Sequence, residues 1–403
     1  MTKTRSFHFL WLSQAFANIG DVFYIVGIIS ILYGMTSSVF ITSLVPFFIT
    51  FSRFFGGLVA PLLIDRMSLK RILMISQCSK TILLFLLAIS MFPFQTLNMQ
   101  ILFLIISCIS FLDGWATPAR NAMLPRLVTE NELMKANSFV SIVDQLIQFG
   151  GWPLAAILVA AFSGERVIFV TIITFIISTI LTIFIRDQKE EKTAKATHLS
   201  KWNSMKEGWL VIWKTPSLKT IIIMDFFDSI ASGVWIAAIL YVYVAEILYE
   251  GEAWWGYINS TFFAGLVLGG IFMMKNEGEL KSKLHLSIVG GSIFVGIFTF
   301  WFAFPYNSLL ALFLSVLLGF ATEVKEISQT TIIQTATPNK YLAKVFSARD
   351  MIITSMFGVS SILLGAIAEE FGIRTVFFIA AIVSIFCGVL AYVRRNDFTK
   401  NVE

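Results

Sequence analysis

Seven acidic side chains interrupt stretches that are otherwise almost continuously apolar: Asp21, Asp113, Asp144, Asp225, Asp228, Glu323 and Glu326. At the centre of a bilayer such a residue costs about 2.5–3.5 kcal/mol even on the lenient insertion scale, so water, an ion partner or a proton must offset it. A low-dielectric environment favours the neutral carboxyl, which can then take up a proton on one side of a membrane and release it on the other. Gln14, Asn18 and Asp21 are spaced four and three apart and share one helical face, a polar stripe suited to a central cavity. Asp225 and Asp228 also share a face, and two close carboxylates rarely ionise together. Glu323 and Glu326 lie on one face of their helix. Lys325 points about 160° away from Glu323, so its partner is expected on another helix. Asp144 shares a polar face with Ser141, Gln145 and Gln148. For Asp113 and for Arg53 a charge-neutralising pair is the expected role. Each of these acids also admits a static reading, as a packed hydrogen-bonding group or a permanent ion pair.

The elements that must hold these residues follow from composition. Of 403 residues, 57% are hydrophobic and 14% charged, and the mean hydropathy is +0.81. A soluble domain carries about 25% charged residues. The apolar runs are about 20 residues long and do not alternate, which indicates membrane-spanning helices rather than barrel strands. The net charge of +5 does not indicate nucleic acid, because the basic residues sit in short loops between spans. Residues 1–6 are too short and basic for a cleaved leader, and the following run is long enough to span. Cys78, Cys108 and Cys387 are isolated within spans and read as small apolar fillers.

Twelve spans are predicted. The first six cover 7–33, 39–64, 72–92, 99–118, 139–162 and 167–185. The second six cover 218–245, 254–274, 284–304, 309–333, 351–368 and 375–393. The predicted fold class is an all-α integral membrane protein, with bundles at 1–185 and 217–403 joined by a cytoplasmic linker at 186–216. Within the linker, Trp202, Met205, Trp209 and Trp213 recur at helical spacing among Lys201, Lys206 and Lys214, a pattern for a helix in the membrane interface; residues 187–196 read as a solvated loop. With the amino terminus inside, about 25 of the 30 Lys and Arg residues fall in cytoplasmic segments, so both termini and the linker are expected there. The external loops hold only Arg166 and Arg374, while Arg53, Lys80 and Lys325 fall within spans. Leu133–Ser138 resembles Leu342–Ser347 at an offset of 209 residues, and Gly57-Leu58-Val59 resembles Gly265-Leu266-Val267 at 208. A duplicated six-helix unit is the expected origin, with a site between the repeats.

Three stretches resemble the major facilitator superfamily, and within it the macrolide-efflux-like exporters. These are FLWLSQAFANIGD at Phe9–Asp21, PLLIDRMSLKR after the second span, and FLDGWATPARNAMLPRLVTENELMKANS at Phe111–Ser138. The second keeps Asp65, Arg66 and Lys70 of a G-x-L-x-D-R-x-G-R-K signature, with Pro61, Ser68 and Leu69 departing from it. The third keeps Pro118, Ala119, Arg120, Pro125, Leu133, Ala136 and Asn137 of the group's pattern. The resemblance implies the major facilitator fold and a secondary transporter, usually a proton-driven exporter. It implies that the Asp65 loop, with Arg66 and Lys70, is a cytoplasmic gate. A helix N-terminus from the other half is one physical partner for Asp65, and Arg120 is an ion partner. One departure is Gly150-Gly151-Trp152-Pro153-Leu154-Ala155-Ala156, where exporters often carry G-P-x-x-G-G.

These readings converge on proton-coupled efflux of drugs or lipophilic small molecules by alternating access about Asp21 and the span-seven acids. The expected partners are a lipophilic or cationic substrate, protons and membrane lipids. A monomer of the cell membrane suffices, no cofactor is expected, and the proton gradient supplies the energy. The alternative is a lipid, siderophore or nutrient carrier on the same fold. No G-x-x-x-x-G-K-[ST] phosphate loop occurs, His8, His198 and His285 form no metal motif, and no convergent nucleophile points to an enzyme.

Overall fold

A computed structural model of the chain describes residues 5–36, 39–91, 99–186, 201–235, 237–251, 253–304 and 307–399. Among them every regular element is helical. The first half comprises α1 (Arg5–Thr36), α2 (Val39–Ile64), α3 (Leu69–Met91), α4 (Met99–Leu127), α5 (Leu133–Phe162) and α6 (Gly164–Ile183). The linker contributes α7 (Lys201–Lys214); the expected solvated loop and His198 lie outside the described residues. The second half comprises α8 (Pro216–Ala231), α9 (Ala237–Glu246), α10 (Ala253–Lys275), the single turn α11 (Glu277–Leu280), α12 (Leu284–Phe302), α13 (Ser308–Ala336), α14 (Asn339–Phe371), α15 (Ile373–Val393) and the short α16 (Arg395–Thr399).

Eleven of these helices are long and apolar enough to cross a bilayer. The twelfth span is a pair, Pro216–Trp235 and Ile239–Glu246, bent by 47°, where an unbroken helix over 218–245 was expected. The bend falls at Ser232-Gly233, and a Gly/Ser pair is one of the usual causes of a sharp kink. A side chain at Gly233 would overlap Ser360 Oγ, which donates to the Ile230 carbonyl at 2.6 Å. Helices α4, α5, α13 and α14 also run past the expected spans. Arg120, Arg126, Lys135 and Lys344 end the apolar windows, but the backbone continues through them as helix.

The chain divides into two compact units. Unit 1 comprises Met1–Glu130, Leu146–Trp209 and Asn339–Met351, and unit 2 comprises Asn131–Gln145, Leu210–Pro338 and Ile352–Glu403. This grouping differs from a cut at 186–216 in two segments, the first turns of α5 and of α14. In unit 1, α1 packs on α6, α2 on α4, and α3 on both α4 and α6. In unit 2, α8 packs on α15, α10 on α13, and α12 on both α13 and α15. The pairing scheme is the same, as a duplicated six-helix unit requires. Glycines set its tightest seam, as small residues do between membrane helices. A side chain at Gly56 would overlap the Phe111 carbonyl across α2 and α4, and one at Gly265 the Val316 carbonyl across α10 and α13. Gly56, rather than Gly57, is thus the packing counterpart of Gly265, which restores the 209-residue offset of Leu133 and Leu342. The core of unit 2 centres on Tyr243, Phe302 and Phe377, with Tyr243 Oη donating to the Phe302 carbonyl at 2.9 Å.

Candidate functional site

In unit 1 the site is built on α1, α3 and α4. Lys80 Nζ lies 2.6 Å from Asp21 Oδ1 and 2.8 Å from Asp113 Oδ1, and the lysine is 1% exposed. One ammonium thus binds two carboxylates carried by two other helices. Packing holds it there. A side chain at Gly20 would overlap the Phe175 ring, so the missing Cβ admits that ring beside Asp21, and the ring lies 4.7 Å below Lys80 Nζ. On α1, Gln14, Asn18 and Asp21 are all half-buried. Gln14 Oε1 accepts from Arg120 Nη1 at 3.4 Å. Arg53 Nη2 donates to Thr117 Oγ1 at 3.4 Å.

In unit 2 the corresponding chemistry lies on α8 and α13. Lys325 Nζ is 3.0 Å from Asp228 Oδ2, which supplies the partner from another helix that helical geometry demands. Asp225, Asp228, Lys325, Glu326, Gln329 and Trp235 are among the residues lining a cavity of about 330 Å³. Asp225 is 4% exposed and Glu323 2%. Glu323 points away from Lys325 and accepts from Ser141 Oγ on α5. Gln145 also hydrogen-bonds it, and Asp144 and Glu326 are close enough to act on its charge. One turn nearer the start of α5, Asn137 Nδ2 donates to Gln334 Oε1 at 2.6 Å and Thr331 Oγ1 at 3.1 Å. The polar face of α5 therefore seats its first turns on α13.

The predicted gate residues separate. Asp65, in the loop at 65–68, pairs with Lys344 in the second turn of α14, near the helix N-terminus expected as its partner but through an ammonium. Lys344 is 2% exposed and also binds Glu207 of α7. Beside it, Ser347 Oγ donates to the Gly57 carbonyl at 2.6 Å. Arg66 is exposed. Lys70 Nζ donates to the Ile183 carbonyl at 2.7 Å, at the end of α6. Arg120 reaches Gln14 of α1 from a position two turns inside α4, which continues as helix to Leu127. Sequence reasoning missed Lys80, Lys344 and Glu207 as partners. The signals were a lone lysine inside a span, a lysine inside the repeated Leu342–Ser347 motif, and the single acid of α7. Among the described residues no group of His, Cys, Asp and Glu side chains is arranged to hold a metal.

The sequence model of the Major Facilitator Superfamily matches residues 10–360 and 282–402. The chain is 30% identical to the uncharacterized MFS-type transporter YfmI of Bacillus subtilis strain 168, over 99% of this chain and 98% of the relative. It is 20% identical to macrolide efflux protein A of Streptococcus pyogenes, over 97% of each. In three dimensions it resembles a bacterial homologue of the iron transporter ferroportin in an outward-facing state, with a TM-score of 0.77, 13% identity, and 97% and 99% of the two chains covered. It also resembles the Escherichia coli fucose:proton symporter FucP, with a TM-score of 0.75, 12% identity, and 98% and 99% covered.

Proposed function

The chain belongs to the Major Facilitator Superfamily, a family of membrane transporters, and from that premise we propose that it is a secondary active exporter of lipophilic or cationic small molecules driven by the proton gradient. The observation that carries this reading is the lysine–carboxylate pairing inside spans, above all Lys325–Asp228 at the edge of a cavity. Protonating Asp228 removes the charge that holds Lys325. A cationic substrate entering the cavity competes with Lys325 for the same carboxylate. Proton and substrate then exclude each other at one group, which is what antiport requires, and each biases the conformation it prefers. Asp21 and Asp113 repeat the chemistry around Lys80. Asp225 and Glu326 line the cavity beside Asp228, while Glu323 and Asp144 belong to the polar seat of α5. The Asp65–Lys344 pair is the cytoplasmic latch of the cycle. The proton gradient is the energy source, and the chain works as a monomer in the cell membrane with both termini in the cytoplasm. Likeness to a macrolide efflux protein supports export of a bulky compound.

A nutrient, siderophore or lipid carrier is the second reading. It is favoured by α5, where Trp152 stands before Pro153 and an alanine pair follows, in place of the exporter glycines. The antiport reading is tested in one experiment. Inside-out vesicles are given an imposed pH gradient and a panel of lipophilic cations, with accumulation measured for wild type and for Asp21→Asn combined with Asp228→Asn. Export by protonmotive antiport predicts gradient-dependent uptake that the double variant loses. Uptake indifferent to the gradient and to both substitutions refutes proton coupling through these residues.

A further inference from the structure

The linker helix α7 carries an exposed face apart from the candidate site. Gly208 and Ile212 are buried, and a methyl group at Gly208 would lie 2.6 Å from the Lys344 carbonyl oxygen. Lys206, Leu210, Trp213 and Lys214, at i, i+4, i+7 and i+8, form one stripe along the helix. All four are exposed, Leu210 by 52% and Trp213 by 55%. Lys219, in the first turns of α8, places its ammonium 5.3 Å over the Trp213 ring. The first arm of the bent span starts at Pro216, two residues after α7 ends. The stripe is therefore fixed at the level where the chain enters the membrane. Two large apolar side chains among three ammonium groups at that level match the boundary between acyl chains and anionic headgroups. The one acid of α7, Glu207, is engaged by Lys344.

We propose that α7 binds anionic phospholipid through Lys206, Lys214 and Lys219, with Leu210 and Trp213 seated at the acyl boundary, and that this seating holds Glu207 on Lys344. The choice of leaflet rests on the proposed cytoplasmic placement of the linker; the binding itself does not depend on transport. Exposed lysines at a membrane surface are each worth about a factor of five in affinity for acidic lipid, and salt weakens them.

The test uses the full chain in phosphatidylcholine vesicles, with spin-labelled phosphatidylglycerol and spin-labelled phosphatidylcholine as probes. Wild type is expected to immobilise phosphatidylglycerol in preference. Each of Lys206→Gln, Lys214→Gln and Lys219→Gln should lower that preference about fivefold, and high salt should erase it. A preference unchanged in the triple variant overturns the proposal. The latch is read separately, by labelling Ala348→Cys with a membrane-impermeant maleimide in a background without the native cysteines. Ala348 is 3% exposed beside the latch, so labelling reports its opening. Phosphatidylglycerol should slow labelling, and Glu207→Gln should abolish the slowing while lipid preference persists. Labelling indifferent to phosphatidylglycerol overturns the link to Lys344. Slowing by inorganic phosphate in neutral vesicles overturns the assignment to a lipid. Loss of pH-gradient-driven uptake would refute the antiport reading and leave both readouts intact.

Discussion

Lys80 holds two carboxylates on two neighbouring helices from a position that is 1% exposed. Removing one member of a buried ion pair leaves an uncompensated charge and costs about 3–5 kcal/mol. Lys80→Met is therefore expected to lower stability by about that amount, seen as an earlier thermal transition in detergent. Asp21→Asn should cost less, because Lys80 keeps Asp113. Combining Lys80→Met with Asp113→Asn should recover part of the loss, and a double variant no better than Lys80→Met would separate the two residues energetically. The acids of this cluster were legible in the sequence because a charge inside an apolar run stands out. Their partners were not. The 100° step per residue tells that Glu323 and Lys325 point apart, but no helical phase tells which neighbour faces either one. Lys80 in particular entered the sequence reading only as an exception to the rule that places basic residues in loops.

At the scale of the helix, the spans were legible and their ends were not. Apolar runs of the right length announce a membrane helix, whereas α4, α5 and α14 continue through charged residues because the backbone's own hydrogen bonds do not require apolar side chains. The bend at Ser232-Gly233 was equally hidden, since it depends on Ser360 from a helix more than a hundred residues away. The glycine seam was visible as a repeat but misplaced by one residue, because identity at Gly57 masked the packing role of Gly56. That role is testable. A side chain at Gly114 would overlap the Arg53 carbonyl on α2, while Gly34 has nothing within 4 Å. Gly114→Val should sharply reduce folded protein recovered from membranes, and Gly34→Val should leave it near wild type. Equal yields would mean that the α2–α4 seam tolerates separation and does not set the fold of unit 1.

For the molecule as a whole, the telling feature is where the two halves of the sequence exchange segments. The first turns of α5 group with unit 2, held by Ser141 on Glu323 and Asn137 on Gln334. The first turns of α14 group with unit 1, held by Lys344 on Asp65 and Glu207 and by Ser347 on Gly57. The two attachments stand at equivalent places in the repeat but differ in chemistry. The α5 seat is a set of side-chain hydrogen bonds, whereas the α14 seat turns on one ammonium between two carboxylates. Charge reversal therefore acts on one and spares the other. Lys344→Glu places a third carboxylate against Asp65 and Glu207, and like charges at that distance repel. Transport should fall at least tenfold, with Ala348→Cys becoming open to labelling by a membrane-impermeant maleimide. Asp65→Lys added to Lys344→Glu rebuilds an opposite pair in reversed order, and it should restore part of the flux and protect Ala348→Cys again. If the reversed pair labels as fast as Lys344→Glu alone, the attraction between Asp65 and Lys344 is not what keeps α14 seated. The seat would then rest on Ser347 and the packing of Met351 against Gly57.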